Sequence, residues 1–484
     1  MNRRIISLFI ILTAFSFTIS MHAQDANSFY FMRGVPQNYQ VNPAFQPDCN
    51  FFLGLPGLAP LKLNLNNSGF ALGDVLQYSD NLDSLVLFLH PDGIGDEEFL
   101  NRLDENNTIS AEFSTSLASF GFRAGKSYIS FDIRERMDLR MNYNRDYLRL
   151  PLVGPDSGQF YDMGMGLNFS LMNELSMGVS RKFGDRLTVG LRGKILLGQA
   201  NLNTERFDLT LSTNEDIWKV NNDISFNASL PYFVDYDYIT FAYLAPIKLL
   251  FGDYEDFDPP SPSVDEIVNM AVNPKNIGLG LDLGVDFRMT DRLQLSASIV
   301  DLGSIRWKDN VLNVSHSVDY DFTGVEVYIS EEGDFMETFL DSLEATYNKF
   351  TTTSAKYTSY LPTKLYLGGA FYAHPKISFG LLSRTDFFKG DIRQQFTASA
   401  NLYPIRMIST TFSYSIIDQH YKNIGFGLAL KAFPFNLYLL TDTGPSIYFF
   451  PTEARLFNFK IGMNLMFGCK KEKKAKTFDM PLIY

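Results

Sequence analysis

From Ile277 to Met289 every odd position is large and apolar, and every even position is Gly, Asp or Arg. Strict alternation over thirteen residues is the period of a β-strand, not of a helix. It is also longer than most strands of soluble domains. The pattern recurs along the chain. Leu187, Val189, Leu191, Ile195 and Leu197 oppose Thr188, Arg192 and Lys194; Leu293, Leu295, Ala297 and Ile299 oppose Gln294, Ser296 and Ser298. Ile424, Phe426, Leu428 and Leu430 oppose Gly425, Gly427 and Lys431. Phe457 to Phe467 repeats it against Asn458, Lys460, Gly462 and Asn464. A soluble sandwich alternates too, but with shorter strands and a more charged outer face. Here the polar face is small and mixed, with glycines. An apolar outside around a polar inside is the pattern of a transmembrane barrel. Lipid leaves no place for an open sheet edge, so the sheet must close.

Composition agrees. Aromatics make up 15% of the 484 residues, with 44 Phe and 25 Tyr against 2 Trp, and charged residues only 20%. Mean hydropathy is −0.06, because each strand gives every second residue to lipid and the rest to a polar lumen. So much apolar surface excludes intrinsic disorder. A helical membrane protein is excluded as well. The one long apolar run, Ile5 to Ile19, is too few segments for a bundle that needs about 20 residues per pass. Asn2-Arg3-Arg4, that run, and Ser20-Met21-His22-Ala23 before Gln24 read as a secretory signal peptide, residues 1–23, cut after Ala23. An N-terminal anchor is the alternative. The formal charge is −12, against the basic face that nucleic-acid binding wants.

Short connections fix a topology. Arg123-Ala124-Gly125-Lys126, Phe183-Gly184-Asp185-Arg186, Met289-Thr290-Asp291-Arg292, Ala373-His374-Pro375-Lys376, Tyr403-Pro404-Ile405 and Phe433-Pro434-Phe435 suit tight turns between strands. They predict an all-β, antiparallel transmembrane barrel with strands near 50–72, 108–123, 127–142, 160–183, 186–202, 276–289, 292–307, 363–372, 377–388, 392–403, 405–417, 422–432, 435–443 and 455–467. Fourteen is even, and both ends lie on the short-turn, periplasmic side. Long outer loops fall near 73–107, 143–158, 203–275 and 308–362. The second-longest part of that outer region, 308–362, carries Phe335, Phe339 and Leu343 at helical spacing. They make either a hydrophobic groove that admits a ligand or a helix packed on the rim. Ser263 and Glu266 predict a shorter helix to Val272, and alternating pieces sit around Phe207–Leu211 and Ile224–Leu230.

Ahead of the first strand stand Phe29-Tyr30-Phe31-Met32 and Asn42-Pro43-Ala44-Phe45-Gln46-Pro47. Asn42-Pro43-Ala44 in that position resembles the outer-membrane long-chain fatty-acid transporter superfamily. Glu174 to Ser180 followed by Phe183 to Gly190 is similar to its strand–turn–strand core. Leu279 to Gly284 and Ile299 to Gly303 resemble Bacteroidetes barrels related to the type IX secretion shuttle. The whole looks like a family of such barrels of unknown function. The resemblance implies 14 strands plugged by an N-terminal hatch, here 24–49 ahead of a barrel at 50–468, and passage of hydrophobic molecules. The hatch is shorter and the interior more charged than in those transporters.

Catalytic and metal constellations are not visible: His22, His90, His316, His374 and His420 are scattered, and no Cys-x-x-Cys occurs. No enzyme activity and no cofactor is expected. The lumen candidates are Asp282, Asp286 and Arg288 on one strand and Arg192 and Lys194 on another. They form a polar ligand path, or they neutralise one another or pair with the hatch. Cys49 lies just before strand one and Cys469 just after strand fourteen. Closure in an oxidising compartment predicts a disulfide across the seam; two isolated thiols are the alternative. Residues 469–484 form a basic periplasmic tail, with Lys470-Lys471-Glu472-Lys473-Lys474, either solvated or bound to an acidic partner. Two functions stay open. One is a passive outer-membrane channel for hydrophobic or amphipathic small molecules, its partners lipid and such a ligand. The other is an accessory barrel of a secretion or assembly machine, with a protein partner at the outer loops or the tail.

Overall fold

The computed structural model describes residues 27–32, 34–54, 60–214, 217–231, 263, 269–270, 273–322, 351–405, 407–417 and 420–469. The signal peptide, the Phe335–Phe339–Leu343 helix, nearly all of the 263–272 helix and the tail from Lys470 lie outside the described residues. The wall strands are β1 (Phe51–Gly54 and Leu61–Asn67), β2 (Asn106–Ala124), β3 (Ser127–Asn144), β4 (Met165–Phe183), β5 (Leu187–Thr213), β6 (Ile277–Arg288) and β7 (Leu293–Trp307). Then follow β8 (Tyr357–Tyr360 and Thr363–His374), β9 (Ile377–Phe388), β10 (Asp391–Ile405), β11 (Ile408–Ile417), β12 (His420–Ala432), β13 (Phe435–Thr441) and β14 (Leu456–Phe467).

Each strand pairs antiparallel with the next, and β14 returns to both halves of β1, with Phe52 opposite Met466 and Leu63 opposite Phe459. The sheet is therefore a closed 14-strand barrel without a free edge in its wall. At the seam, Cys49 and Cys469 form a disulfide. Alternation becomes an outside and an inside. On β6, Leu279 is 68% exposed and Leu283 42% exposed, whereas Asp282 between them is fully buried. Val189, Leu191, Leu295, Ile299, Phe371 and Leu381 stand outward in the same way. An exposed apolar belt around the whole wall is the surface of a protein solvated by hydrocarbon.

On the outer side the alternating pieces around Phe207–Leu211 and Ile224–Leu230 are strands, and they extend the sheet beyond the loops expected there. β5 does not stop near 202; it continues to Thr213 as one 27-residue strand. An apolar belt of about 25 Å is crossed by about ten tilted residues, so β5 projects far beyond it. Trp218–Ser229 pairs with that projection, Val311–Phe322 with Trp218–Ser229, and Thr351–Thr353 with Val311–Phe322. Residues 160–162, expected as the start of the strand 160–183, pair with the tip of β5 and continue the ladder of β4 on it after a short break at Met163-Gly164. The physical reason is a second apolar core. Tyr143, Tyr147, Leu202, Leu211, Ile224, Phe226 and Val314 pack together, beside the helix Arg145–Val153. That burial holds the sheet together outside the belt.

Two outcomes test the wall. Leu283→Arg puts a charge midway along the lipid face, and urea unfolding in vesicles should show a loss of about 2–4 kcal/mol; a neutral effect would refute the lipid-facing assignment. Cys49→Ser combined with Cys469→Ser should lower unfolding stability by about 2–4 kcal/mol while the barrel still folds, read by the same assay.

Candidate functional site

The lumen is filled in three storeys. Lowest, at the short-turn end, is the hatch. Its described part consists of two short 3₁₀ turns, Asn27–Phe31 and Pro36–Gln40, and the stretch to Cys49. Pro36 at the start of the second turn suits a fixed φ. Nearly all of these residues are buried. Tyr30 stacks on Tyr366 at 5.7 Å and packs edge-on against Phe45 at 5.1 Å, within a cluster that includes Phe31, Tyr372 and Leu382.

Asn42-Pro43-Ala44 has a specific berth. Asn42 Nδ2 donates to Tyr30 Oη (3.1 Å) and to the carbonyls of Val285 and Ala297 (3.3 Å each). Its Oδ1 accepts from the Ala44 N–H at 2.9 Å. The main chain at Pro43 lies directly on Gly190, and the Asn42 amide, the Pro43 ring and the Ala44 N–H lie on Gly284; the two glycines face each other across β5 and β6. A Cβ on Gly190 would overlap the Pro43 carbonyl, and one on Gly284 would overlap Asn42. These two positions are glycine because the backbone of the hatch touches the backbone of the wall there.

The middle storey is ionic. Arg192 is 1% exposed; its guanidinium reaches Asp132 and Glu174 at 3.2 Å each and Asp282 at 3.5 Å. Lys194 Nζ meets Asp282 at 2.7 Å and Asp301 at 2.5 Å. Arg134 meets Glu174 at 2.5 Å, and Arg136 bridges Glu174 (3.1 Å) and Asp301 (3.0 Å). These four cations face these four carboxylates, and Arg136 also reaches Asp138 at 3.4 Å. Burying such groups costs several kcal/mol per ion, and only mutual pairing offsets it. The hatch joins from below: Gln40 donates to Asp132 at 2.9 Å and accepts from Lys460 at 3.2 Å, and Arg192 lies 5.3 Å from the ring centre of Tyr39.

On β7, Val300 and Asp301 together stand opposite the single residue Asp282 of β6. This β-bulge shifts the strand's parity. Asp301 takes φ +64°, a conformation that Asp tolerates better than most residues, and its N–H donates to Asp282 Oδ1 at 2.8 Å. Unbulged, Asp301 would share the lipid face of Ile299. With the bulge, its carboxylate reaches Lys194 and Arg136.

The upper storey crosses the lumen. Lys364 on β8 lies 3.7 Å from Glu112 on β2, which also holds Lys62 at 2.8 Å. Arg140 on β3 sits 4.9 Å from the ring centre of Phe388 on β9. Lys389, in the turn after β9, donates to the Thr204 carbonyl of β5 at 2.6 Å. Met172, Leu196, Ile305 and Trp307 form an apolar plug nearby. Opposite walls therefore meet through their side chains. A cavity of about 50 Å³ remains where the hatch, the ionic storey and the Lys62–Glu112–Lys364 group meet, and one of about 120 Å³ lies beside the hatch at the short turns.

Of the lumen candidates, Arg192, Lys194 and Asp282 come together here. Asp286 and Arg288 do not join them: Asp286 is held by Gln294 at 2.6–2.7 Å, and both line the lower cavity. Asp132, Arg134, Arg136, Glu174 and Asp301 were not singled out in the sequence. The signal for Asp301 is an acid in the lipid phase of an otherwise apolar face. Among the described residues no His, Cys, Asp and Glu group is placed to hold a metal ion.

These features define a plugged antiparallel β-barrel. The chain belongs to the Family of unknown function (DUF5723), whose profile matches residues 43–442. No curated protein matches it. Among solved structures it is similar to the toluene transporter TodX of Pseudomonas putida, at 9% identity over 92% of this chain and 98% of that one, TM-score 0.34. It is also similar to a FadL homologue of Pseudomonas aeruginosa, at 11% identity over 93% and 100%, TM-score 0.34. The monoaromatic hydrocarbon channel CymD gives 9% over 90% and 93%, TM-score 0.34.

Asp301→Asn should destabilise the barrel by about 3–5 kcal/mol, because it leaves buried cations short of a partner. Adding Lys194→Met should recover part of that loss. A double-mutant cycle in urea measures the coupling; strict additivity would show that the ionic storey is not one unit.

Proposed function

We propose that this chain is an outer-membrane channel for small amphipathic or hydrophobic molecules, exported through a cleaved signal peptide, and that the conformation described is its closed state. The short turns then face the periplasm. The observation that carries this reading is how the hatch is held. Among the described residues, no backbone–backbone hydrogen bond joins residues 27–48 to the wall. The hatch is retained by side chains, each such hydrogen bond being worth about 0.5–1.5 kcal/mol net. A plug held this way can leave without unzipping a strand, while the Cys49–Cys469 disulfide keeps its C-terminal end tethered.

The lining supports amphipathic cargo. Once Tyr30, Phe31 and Phe45 withdraw, Tyr366 and Tyr372 offer an aromatic wall below a storey of paired charges. Apolar and ionic groups would then face one passage.

Planar-bilayer recordings test the gate. Deleting residues 27–45, or placing Val at Gly190 so that the Pro43 berth is filled, should raise conductance well above that of the parent chain. The wall, its ionic storey and the seam should remain folded, as read by heat-modifiable migration on gels. No added conductance from either folded variant would sink the channel and leave the barrel as a scaffold.

A further inference from the structure

Beyond the outer end of β1 the chain repeats the wall's inverted alternation where barrel closure does not require it. A short helix, Leu72–Val75, leads into a hairpin of Leu76–Ser79 and Ser84–Leu87. Its register sets Leu76 opposite Leu87 and Tyr78 opposite Leu85, so these four side chains share one face. Tyr78, Leu85 and Leu87 are 55–66% exposed, and Leu72, Leu82 and Leu89 are 48–53% exposed. The opposite face is the covered one, with Ser79 and Val86 buried. An isolated two-stranded hairpin is marginal in water. This one is held from its base, where Phe88 stacks on Phe99 at 4.1 Å in a cluster that includes Phe70, Val75 and Leu103.

Its position ties it to the lipid belt. Phe457 and Phe467 are both exposed and stand at the two ends of the outward face of β14, separated by the roughly ten residues that cross a membrane. Phe457 therefore marks the outer edge of the belt, with exposed Leu65 of β1 opposite it. The Leu72 N–H donates to the Ala454 carbonyl at 2.8 Å, just beyond that edge. Gly73 lies on the main chain of Thr452, which a Cβ there would overlap. On the other side of the Thr452 turn, the helix Gly444–Phe449 exposes Tyr448 and Phe449. That helix fills out the wall: β13 has only seven residues, short of a full crossing, and Ser446 Oγ accepts from the Ile424 N–H of β12 at 2.7 Å. Exposed apolar side chains thus lead from the belt, past Tyr448, Phe449 and Leu72, onto the hairpin.

Charge is kept off this face. Asp74 is buried against Arg102 at 2.6 Å and Arg455 at 3.9 Å. Asp92 accepts from Ser79, on the covered face, at 2.6 Å. The exposed Asp80 and Asp83 lie at the hairpin tip, where Tyr78 Oη donates to Asp83. Contiguous apolar surface of this kind marks an interaction site. A tyrosine with an apolar ring and a polar tip suits a membrane interface, and one polar side with one uncharged apolar side is what an element lying in that interface presents.

We propose that hairpin 76–87 lies on the membrane, with the face of Leu76, Tyr78, Leu85 and Leu87 set into the acyl-chain boundary of the leaflet at the long-loop end. The occupant is lipid, because the face continues the surface that lipid already covers on the wall. The contact widens the membrane footprint on the side of β13, β14 and β1. It does not depend on whether the lumen conducts.

Nitroxide labelling of the full chain in phosphatidylcholine vesicles tests the contact. Both native cysteines are held in the disulfide, so a single added cysteine takes the label. Labels on Leu85→Cys and Leu87→Cys are compared with Leu283→Cys on the belt and Glu97→Cys on the acidic helix Asp96–Asn101. The readout is the ratio of collisions with oxygen, which enters lipid, to collisions with a water-bound nickel chelate. At 85 and 87 the ratio should exceed that at 97 by about threefold or more and approach that at 283. Ratios at 85 and 87 equal to that at 97, with 283 reading as lipid-exposed, would overturn the proposal while leaving the wall assignment intact. Broadening between labels at 85 that vanishes on dilution with unlabelled chain would overturn it as well, by placing a second copy on the face.

Discussion

Hydrocarbon offers no hydrogen bonds, and that single constraint organises this molecule. Every backbone N–H and C=O in the belt must find a partner within the sheet, so the sheet has to come back to its own first strand. β14 does so by pairing with both halves of β1. The disulfide at the seam ties together two cysteines 420 residues apart in sequence. Closure then sorts the side chains. With lipid outside, the polar half of each strand has nowhere to go but inward.

An inward polar half creates the second problem, charge without water. The solution is mutual pairing. Arg134, Arg136, Arg192 and Lys194 are matched by Asp132, Glu174, Asp282 and Asp301, contributed by five different strands. Ion pairs of this kind add little net stability compared with apolar packing, yet breaking one is costly. Their effect is to fix which strands face each other across the lumen. The β-bulge at Asp301 belongs to the same solution, since it turns a carboxylate away from lipid and into the network.

The hatch completes the interior on different terms. It brings aromatic surface to the tyrosines of β8 and amides to the ionic storey, and its main chain settles on two glycines of the wall. It joins no ladder among the described residues. Strong covalent closure at the seam and weak, divisible attachment of the plug coexist within a few residues, around Cys49. That contrast separates a covalently closed wall from a plug held by side-chain contacts.

Alternation is a local property, so the strands, their number and their inward faces were readable from the chain. Asp282, Arg192 and Lys194 could be placed in the lumen by parity alone, while closure left Cys49 and Cys469 either bridged or as two separate thiols, and the structure joins them. Three things were not readable. Asp301 broke parity, because a bulge depends on the partner strand's register. The long projection of β5 depended on an apolar core assembled from segments 143–314; alternation marked pieces of it around Phe207–Leu211 and Ile224–Leu230, but not that they join into one sheet. The glycines at 190 and 284 looked like any small lumen residues until the hatch was seen to lie on them. By itself the sequence determined a closed wall with a polar inside, because a period of two residues needs only neighbours. Which charges meet, where the plug rests and what space remains were decided by tertiary structure, because those depend on distances across a lumen that joins residues far apart in the chain.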